Sequence, residues 1–225
     1  MSMYPAMEVN YVDSMGSDLS VVNAARVSFN NHTTVMRDKD IKLIDYLARH
    51  GHWSPFSHCF AQFRVKAPIF VARQLAKHQV GLAWNEVSRR YVDTDVEFYY
   101  PDEWRGRAAN NKQGSEGTVE QKEFVDEEFV MANVSAHSSY RNLLSWGVAP
   151  EQARIVLPQH TMTEWYWSGS LYAFARVCNQ RLDPNAQAET AVIADWIDTY
   201  CTELFPVSWE ALTQNLKGAN DNEQS

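Results

Sequence analysis

HCFAQFRVKAPIFVARQLAKHQVGLAWNEVSRRY, residues 58–91, changes its hydrophobic rhythm twice, and those changes decide the fold class. Over 58–66, Cys59, Ala61, Phe63 and Val65 alternate with Gln62, Arg64 and Lys66, which is the period of a strand with one buried face. Pro68 stands where a helix can begin, because its missing N–H is no loss at the first helical position. Ile69, Phe70, Ala72 and Ala76 give the following dozen residues a buried side, with Arg73, Gln74 and Lys77 together opposite. After His78 the run Val80–Trp84 loses helical periodicity, and Gly81 predicts a loop leading towards Asn85 and Ser88.

Upstream, Ile41, Ile44, Leu47 and Ala48 recur at helical spacing behind Asp38 as a cap, predicting a helix that ends near Gly51. Downstream, residues 106–117 carry Gly, Asn, Ser and Gln without apolar rhythm and read as a surface loop. Val125, Phe129, Ala132, Ala136, Tyr140 and Leu143 then step by three or four along a long helix stopped by Gly147, and Pro150 starts a shorter one carrying Arg154. A Thr/Trp-rich strand over 161–167 precedes a helix marked by Leu171, Phe174, Cys178 and Leu182. Asp183-Pro184 predicts the cap of a last helix reaching Phe205. Helices around a few strands make the class α/β or α+β. A single domain is expected over 1–215, with a disordered tail over 216–225.

Composition narrows the function. The net charge of -8 argues against a general nucleic-acid coat, and no stretch is apolar for long enough to cross a bilayer. Cys59, Cys178 and Cys201 form no CxxC or Cys/His pattern, so a reduced, cytoplasmic, metal-free protein is expected. Against the acidic background, residues 64–91 hold Arg64, Lys66, Arg73, Lys77, Arg89 and Arg90 with Glu86 as the one acid. Either a phosphate-bearing small ligand or a solvated basic face explains this concentration. Gln74, Lys77, His78, Gln79, Asn85, Glu86, Ser88, Arg89 and Arg90 within eighteen residues are the parts of a nucleotide site: cations and a hydroxyl for phosphate, amides for a heterocycle edge.

The segments Val65–Gln74, Lys77-His78-Gln79 and Asn85–Tyr91 resemble flavin-dependent thymidylate synthases, whose signature is RHRxxSxNxxSxR. Further similarity lies at Gly51-His52 with Ser54-Pro55-Phe56 and His58, at Ala153–Pro158, and at Arg181 followed by Ala186-Gln187, so it runs from near Ala24 to Leu212. The chain departs from the signature at Lys77 and Gln79, which stand for arginines, at the absent first serine, and by one extra residue before Asn85. Replacing a guanidinium fork by a point charge and a neutral amide weakens the field that would meet a pyrophosphate.

The resemblance implies a central, mainly antiparallel sheet flanked by helices, and the methylation of dUMP to dTMP. FAD is the implied cofactor, with NADPH and 5,10-methylenetetrahydrofolate as co-substrates, in a homotetramer whose sites draw on several subunits. It places Gln74, Lys77, Glu86, Ser88, Arg89, Arg90, Arg154 and Arg181 at dUMP, with Arg181 catalytic at the uracil ring. At FAD it places His52, Ser54, Lys77, His78, Gln79, Glu86, Ser170, Tyr172 and Arg176. It also implies chemistry without a cysteine nucleophile. A related dUMP hydroxymethylase and a dUMP-binding protein that has lost FAD are the rival readings.

Overall fold

The computed structural model describes residues 6–109 and 114–221. Its main sheet has the order β1-β2-β6-β3, from strands β1 (Glu8–Met15), β2 (Phe60–Pro68), β3 (Leu82–Glu86) and β6 (Met162–Ser170). Gln62 Nε2 donates to Ser168 Oγ, Leu171 N to Cys59 O and Ile69 N to Thr161 O, so partner numbers fall along β6 as they rise along β2. The same holds for β3, where Ser170 N donates to Gly81 O and Val87 N to Glu164 O. Both pairings are antiparallel. The fold is mixed α/β with this antiparallel sheet flanked by helices.

The chain divides into two compact units. One comprises Val9–Val65, Ala76–Trp84 and Tyr166–Ser225. Here the inward side chains of β2, Ala61, Phe63 and Val65, are fully or almost fully buried, as the period-two pattern requires. Phe63 and Trp167 each meet Phe174 edge to face at 5.1 and 5.3 Å between ring centroids, a favoured aromatic geometry. Phe174 lies on α6 (Leu171–Arg181), which packs on α7 (Ala188–Leu204), with Cys178, Ile193 and Ile197 all buried. Helix α1 (Asp18–Arg26), α2 (Asp38–Arg49) and α8 (Pro206–Asp221) complete the unit.

Two buried carboxylates fasten it. The Asp18 carboxylate accepts from Val207 N at 3.1 Å and Ser208 N at 2.8 Å, satisfying first-turn N–H groups of α8. Asp40 is wholly buried, pairs with Arg26, and accepts from Arg37 N at 3.0 Å. We expect Asp18→Ala to cost about 1–3 kcal/mol, because two N–H groups lose their acceptor where water reaches poorly. Urea unfolding checks this; an unchanged midpoint would deny the carboxylate its capping role.

The other unit comprises Met1–Glu8, Lys66–Leu75 and Asn85–Trp165. It holds α3 (Ile69–Leu75), a hairpin of β4 (Arg105–Arg107) and β5 (Ser115–Thr118), the long α4 (Lys122–Ser145) and the short α5 (Pro150–Ala153). Val96, Tyr140 and Ala153 form one buried cluster in it, with Phe98, Leu143 and Leu157 packed around them. Asp126 of α4 accepts from Trp104 Nε1 at 2.6 Å and Lys122 Nζ at 2.5 Å, tying the helix to the base of the hairpin. Among the described residues no helix is long and apolar enough to cross a membrane.

Several expected boundaries move. Val80–Trp84 is not a loop throughout: Leu82–Glu86 is β3, formed by pairing with a strand some eighty residues away, which local periodicity does not register. Residues 106–117 belong largely to the β4–β5 hairpin, with 110–113 outside the described residues. Pro68 closes β2, and α3 has seven residues rather than a dozen. Arg37 holds the cap position expected of Asp38. Asp183 folds a turn instead of capping a helix, its Oδ1 accepting from Asn185 N at 2.8 Å, and α7 starts at Ala188. Pro206 opens α8, which takes in part of the expected tail; residues 222–225 lie outside the described residues.

Candidate active site

In the unit containing α4 and α5, Ser88 and Arg90 follow β3 directly, and Ser88 Oγ accepts from Arg90 N at 3.3 Å. Arg90 Nε lies 3.7 Å from Glu151 Oε2, while Arg154 Nε donates at 3.3 Å to the Glu151 carbonyl. Two arginines far apart in sequence thus meet on one residue of α5, and Glu151 is a group that sequence patterning does not single out. The one signal for it is an acid three positions before Arg154, at the start of a Pro-initiated helix. Half-exposed Arg90 leaves its guanidinium within reach of solvent and of an anion's oxygens.

Arg154 also lines a cavity of ≈ 300 Å³ together with Lys66, Glu86, Arg89, Met162, Thr163 and Glu164. Thr163 Oγ1 donates to Glu86 Oε1 at 2.7 Å, and Lys66 pairs with Glu97 at 2.6 Å, so acid and base are both fixed on its walls. Arg89 serves its own loop, Nη1 donating to Thr94 O at 2.7 Å and Nη2 to Asp95 O at 3.3 Å, which braces the chain after β3. Gln74, half-buried on α3, is not among the residues lining this cavity.

In the unit built on α6, a second cavity of ≈ 240 Å³ gathers Lys77, His78, Gln79, Arg176, Gln180 and Arg181. Ala173, Arg176 and Gln180 share one face of α6 at helical spacing. The turn that carries Lys77–Gln79 lies close because two glycines permit it. Gly81 has φ +79, and a Cβ on Gly169 would sit 2.5 Å from the Gly81 carbonyl oxygen. Gln180, one residue before Arg181, is a further lining residue not expected from the sequence, although its i+4 relation to Arg176 is visible there.

Arg181 Nε–H donates to His78 Nε2 at 3.0 Å, across 103 residues of sequence. An accepting Nε2 leaves the ring proton on Nδ1, so this imidazole is neutral. Burial, then the charges of Arg181 and Arg176, push the His78 pKa below its ordinary value. Burial also lowers that of Arg181, which stays cationic because guanidinium deprotonates far above neutral pH.

The remaining residues expected at the cofactor fall around the start of α6. Tyr172 faces Trp53, ring centroids 6.4 Å apart, which brings the exposed His52–Ser54 segment to that helix end. His52 stacks loosely on Tyr46 at 6.1 Å. Ser170 is buried, and its Oγ accepts from Ala173 N at 3.2 Å, so its hydroxyl caps α6. Cys59, Cys178 and Cys201 are all buried and free. Burial pushes the Cys59 thiol up to about 11 and the other two upward as well, the opposite of an activated nucleophile.

Residues 10–207 match the family profile described as thymidylate synthase complementing protein. A flavin-dependent thymidylate synthase of Thermus thermophilus is 42% identical over 212 residues, covering 92% of this chain and 76% of that one. One from Thermosipho africanus is 39% identical, covering 89% and 88%. Among solved structures, a UMP/dUMP methylase from Streptomyces cacaoi bound with 5-Br dUMP superposes with TM-score 0.85 at 32% identity, covering 94% of this chain and 96% of that one. The match takes in both units and both arginine clusters, and the chain belongs to the thymidylate synthase complementing protein family, that of the flavin-dependent thymidylate synthases.

Proposed function

We propose that the protein methylates dUMP to dTMP as an FAD-dependent thymidylate synthase, with 5,10-methylenetetrahydrofolate as carbon donor and NADPH as reductant, in the cytoplasm. The observation that carries this reading is Arg181, held by His78 in a cavity lined by Lys77 and Arg176, in a protein whose thiols are all buried. A fixed guanidinium at the uracil O2 and N3 edge stabilises the negative charge that develops as C5 becomes nucleophilic, so no thiolate attack is needed. Ser88, Arg90 and Arg154 are the phosphate group's partners in this reading, with Glu86 and Arg89 on the wall of the nucleotide pocket.

The residues present suit FAD. Lys77 and Arg176 offer charge to its pyrophosphate, and His52, Ser54, Tyr172 and the neutral Gln79 offer ring faces and hydrogen bonds. Bound FAD supplies a hydride that NADPH replenishes. A cavity of ≈ 240 Å³ is smaller than the roughly 300–1,000 Å³ of drug-sized ligand sites, so the dinucleotide needs walls beyond this cavity. In this reading the sites lie in a homotetramer and draw on several subunits, with residues 1–215 acting as one catalytic domain within it.

The purified protein should show the visible absorption of a flavin and yield dTMP, read by mass spectrometry, from dUMP, 5,10-methylenetetrahydrofolate and NADPH. Hydroxymethyl-dUMP as the product would replace this reading by the hydroxymethylase. A colourless protein that binds dUMP would favour a nucleotide-binding protein without FAD, the reading that Lys77 and Gln79 support at the pyrophosphate. Arg154→Ala should weaken dUMP binding about 10- to 100-fold, the loss of one charge-assisted bond, while unfolding midpoints hold. Calorimetric titration decides; unchanged affinity would remove Arg154 from the phosphate.

A further inference from the structure

We propose that His78 is a positioning residue: its imidazole, as a hydrogen-bond acceptor, aims the Arg181 guanidinium, and protonating that imidazole releases Arg181. The inference rests on the proposed role of Arg181, but its structural half stands apart from any activity. Arg181 is the last residue of α6, where the backbone ladder ends and a long side chain has many rotamers. Among the described residues that side chain makes one hydrogen bond, from Nε to His78 Nε2 at 3.0 Å. Anchoring Nε fixes the plane of the guanidinium and turns its two Nη groups outward, the edge that forks onto paired acceptors.

The anchor works in one protonation state only. Neutral His78 with its proton on Nδ1 accepts; protonated His78 carries N–H on both nitrogens and cannot. The charges facing it within its unit are cationic on each side, Lys77 from its own turn and Arg176 and Arg181 from α6. A positive charge on the ring is opposed by the two arginines. Acid therefore protonates the ring, removes the acceptor and repels Arg181, so the aim is kept at neutral pH and lost as pH falls below the ordinary imidazole range.

Nitrogen-15 NMR of the ring in the wild-type protein tests the structural half. The expected spectrum shows Nε2 unprotonated, titrating below a free histidine, with the titration moving up in Arg181→Ala. A proton on Nε2 at neutral pH, or a titration indifferent to Arg181, would overturn the proposal. His78→Gln keeps an acceptor near the Nε2 position without titrating, whereas His78→Ala removes it. For dTMP formation we expect His78→Ala to lose roughly 10- to 100-fold in kcat with little change in the KM for dUMP. His78→Gln should restore most of it and lose the acid limb of the pH profile. An acid limb that persists in His78→Gln, or a Gln variant as slow as Ala, would defeat the proposal. A protein that forms no dTMP yet shows the expected NMR titration would refute the enzymatic reading and leave the pairing intact.

Discussion

Arg181→Ala should cut dTMP formation, with kcat falling about 10²- to 10³-fold, the range for removing one preorganised charge from a transition state. The loss should fall on turnover more than on nucleotide affinity, because the phosphate is proposed to be held by other residues, Ser88, Arg90 and Arg154. The fold should survive. Arg181 is the terminal residue of α6, is half-buried, and lends nothing to the helix ladder that alanine would remove. Equal unfolding midpoints for the two proteins, measured beside the rates, separate a chemical from a structural failure. An Arg181→Ala variant that still makes dTMP at the parent rate would strip this residue of its catalytic role.

Asp40→Ala should destabilise the fold more than Asp18→Ala, by about 3–5 kcal/mol, because it leaves a nearly buried guanidinium without its partner. The Arg26 side chain is 13% exposed and that of Asp40 0%, so water cannot replace the carboxylate. The same change deprives Arg37 N of its acceptor at the start of α2. Chemical denaturation gives the number. Replacing both charges, Asp40→Leu with Arg26→Met, should recover most of the loss, since an apolar pair avoids the desolvation that the ion pair must offset. If the double variant were no better than the single one, the damage would lie in the α2 start rather than in the orphaned charge.

How much is legible in the sequence depends on how far each signal reaches along the chain. β2, α4 and α6 declare themselves because their period is local: Ala61, Phe63 and Val65 alternate, and Phe174 and Cys178 recur four apart. β3 does not, because Leu82–Glu86 becomes a strand only by pairing with β6. Pro206 looks like a stop after Phe205, but the same residue also starts helices, and α8 follows it. At the site, Lys77-His78-Gln79 and Ser88–Arg90 are visible as local clusters of polar groups. Their partners are not: Glu151 beneath Arg90 and Arg154, and the His78–Arg181 contact, are products of tertiary folding between distant segments. Arg89 shows the converse, a cation in the cluster that binds the carbonyls of its own loop.

The capping of α8 by Asp18 joins positions 189 and 190 residues apart. In folding, then, the carboxylate and its two partners must meet across that separation, and such long closures are slow. A variant lacking α8 would leave Asp18 without these amides and α6 without the helix that lies beside it. Quality-control proteases would meet that product as exposed apolar surface, so loss of this one helix is reported by the fold itself.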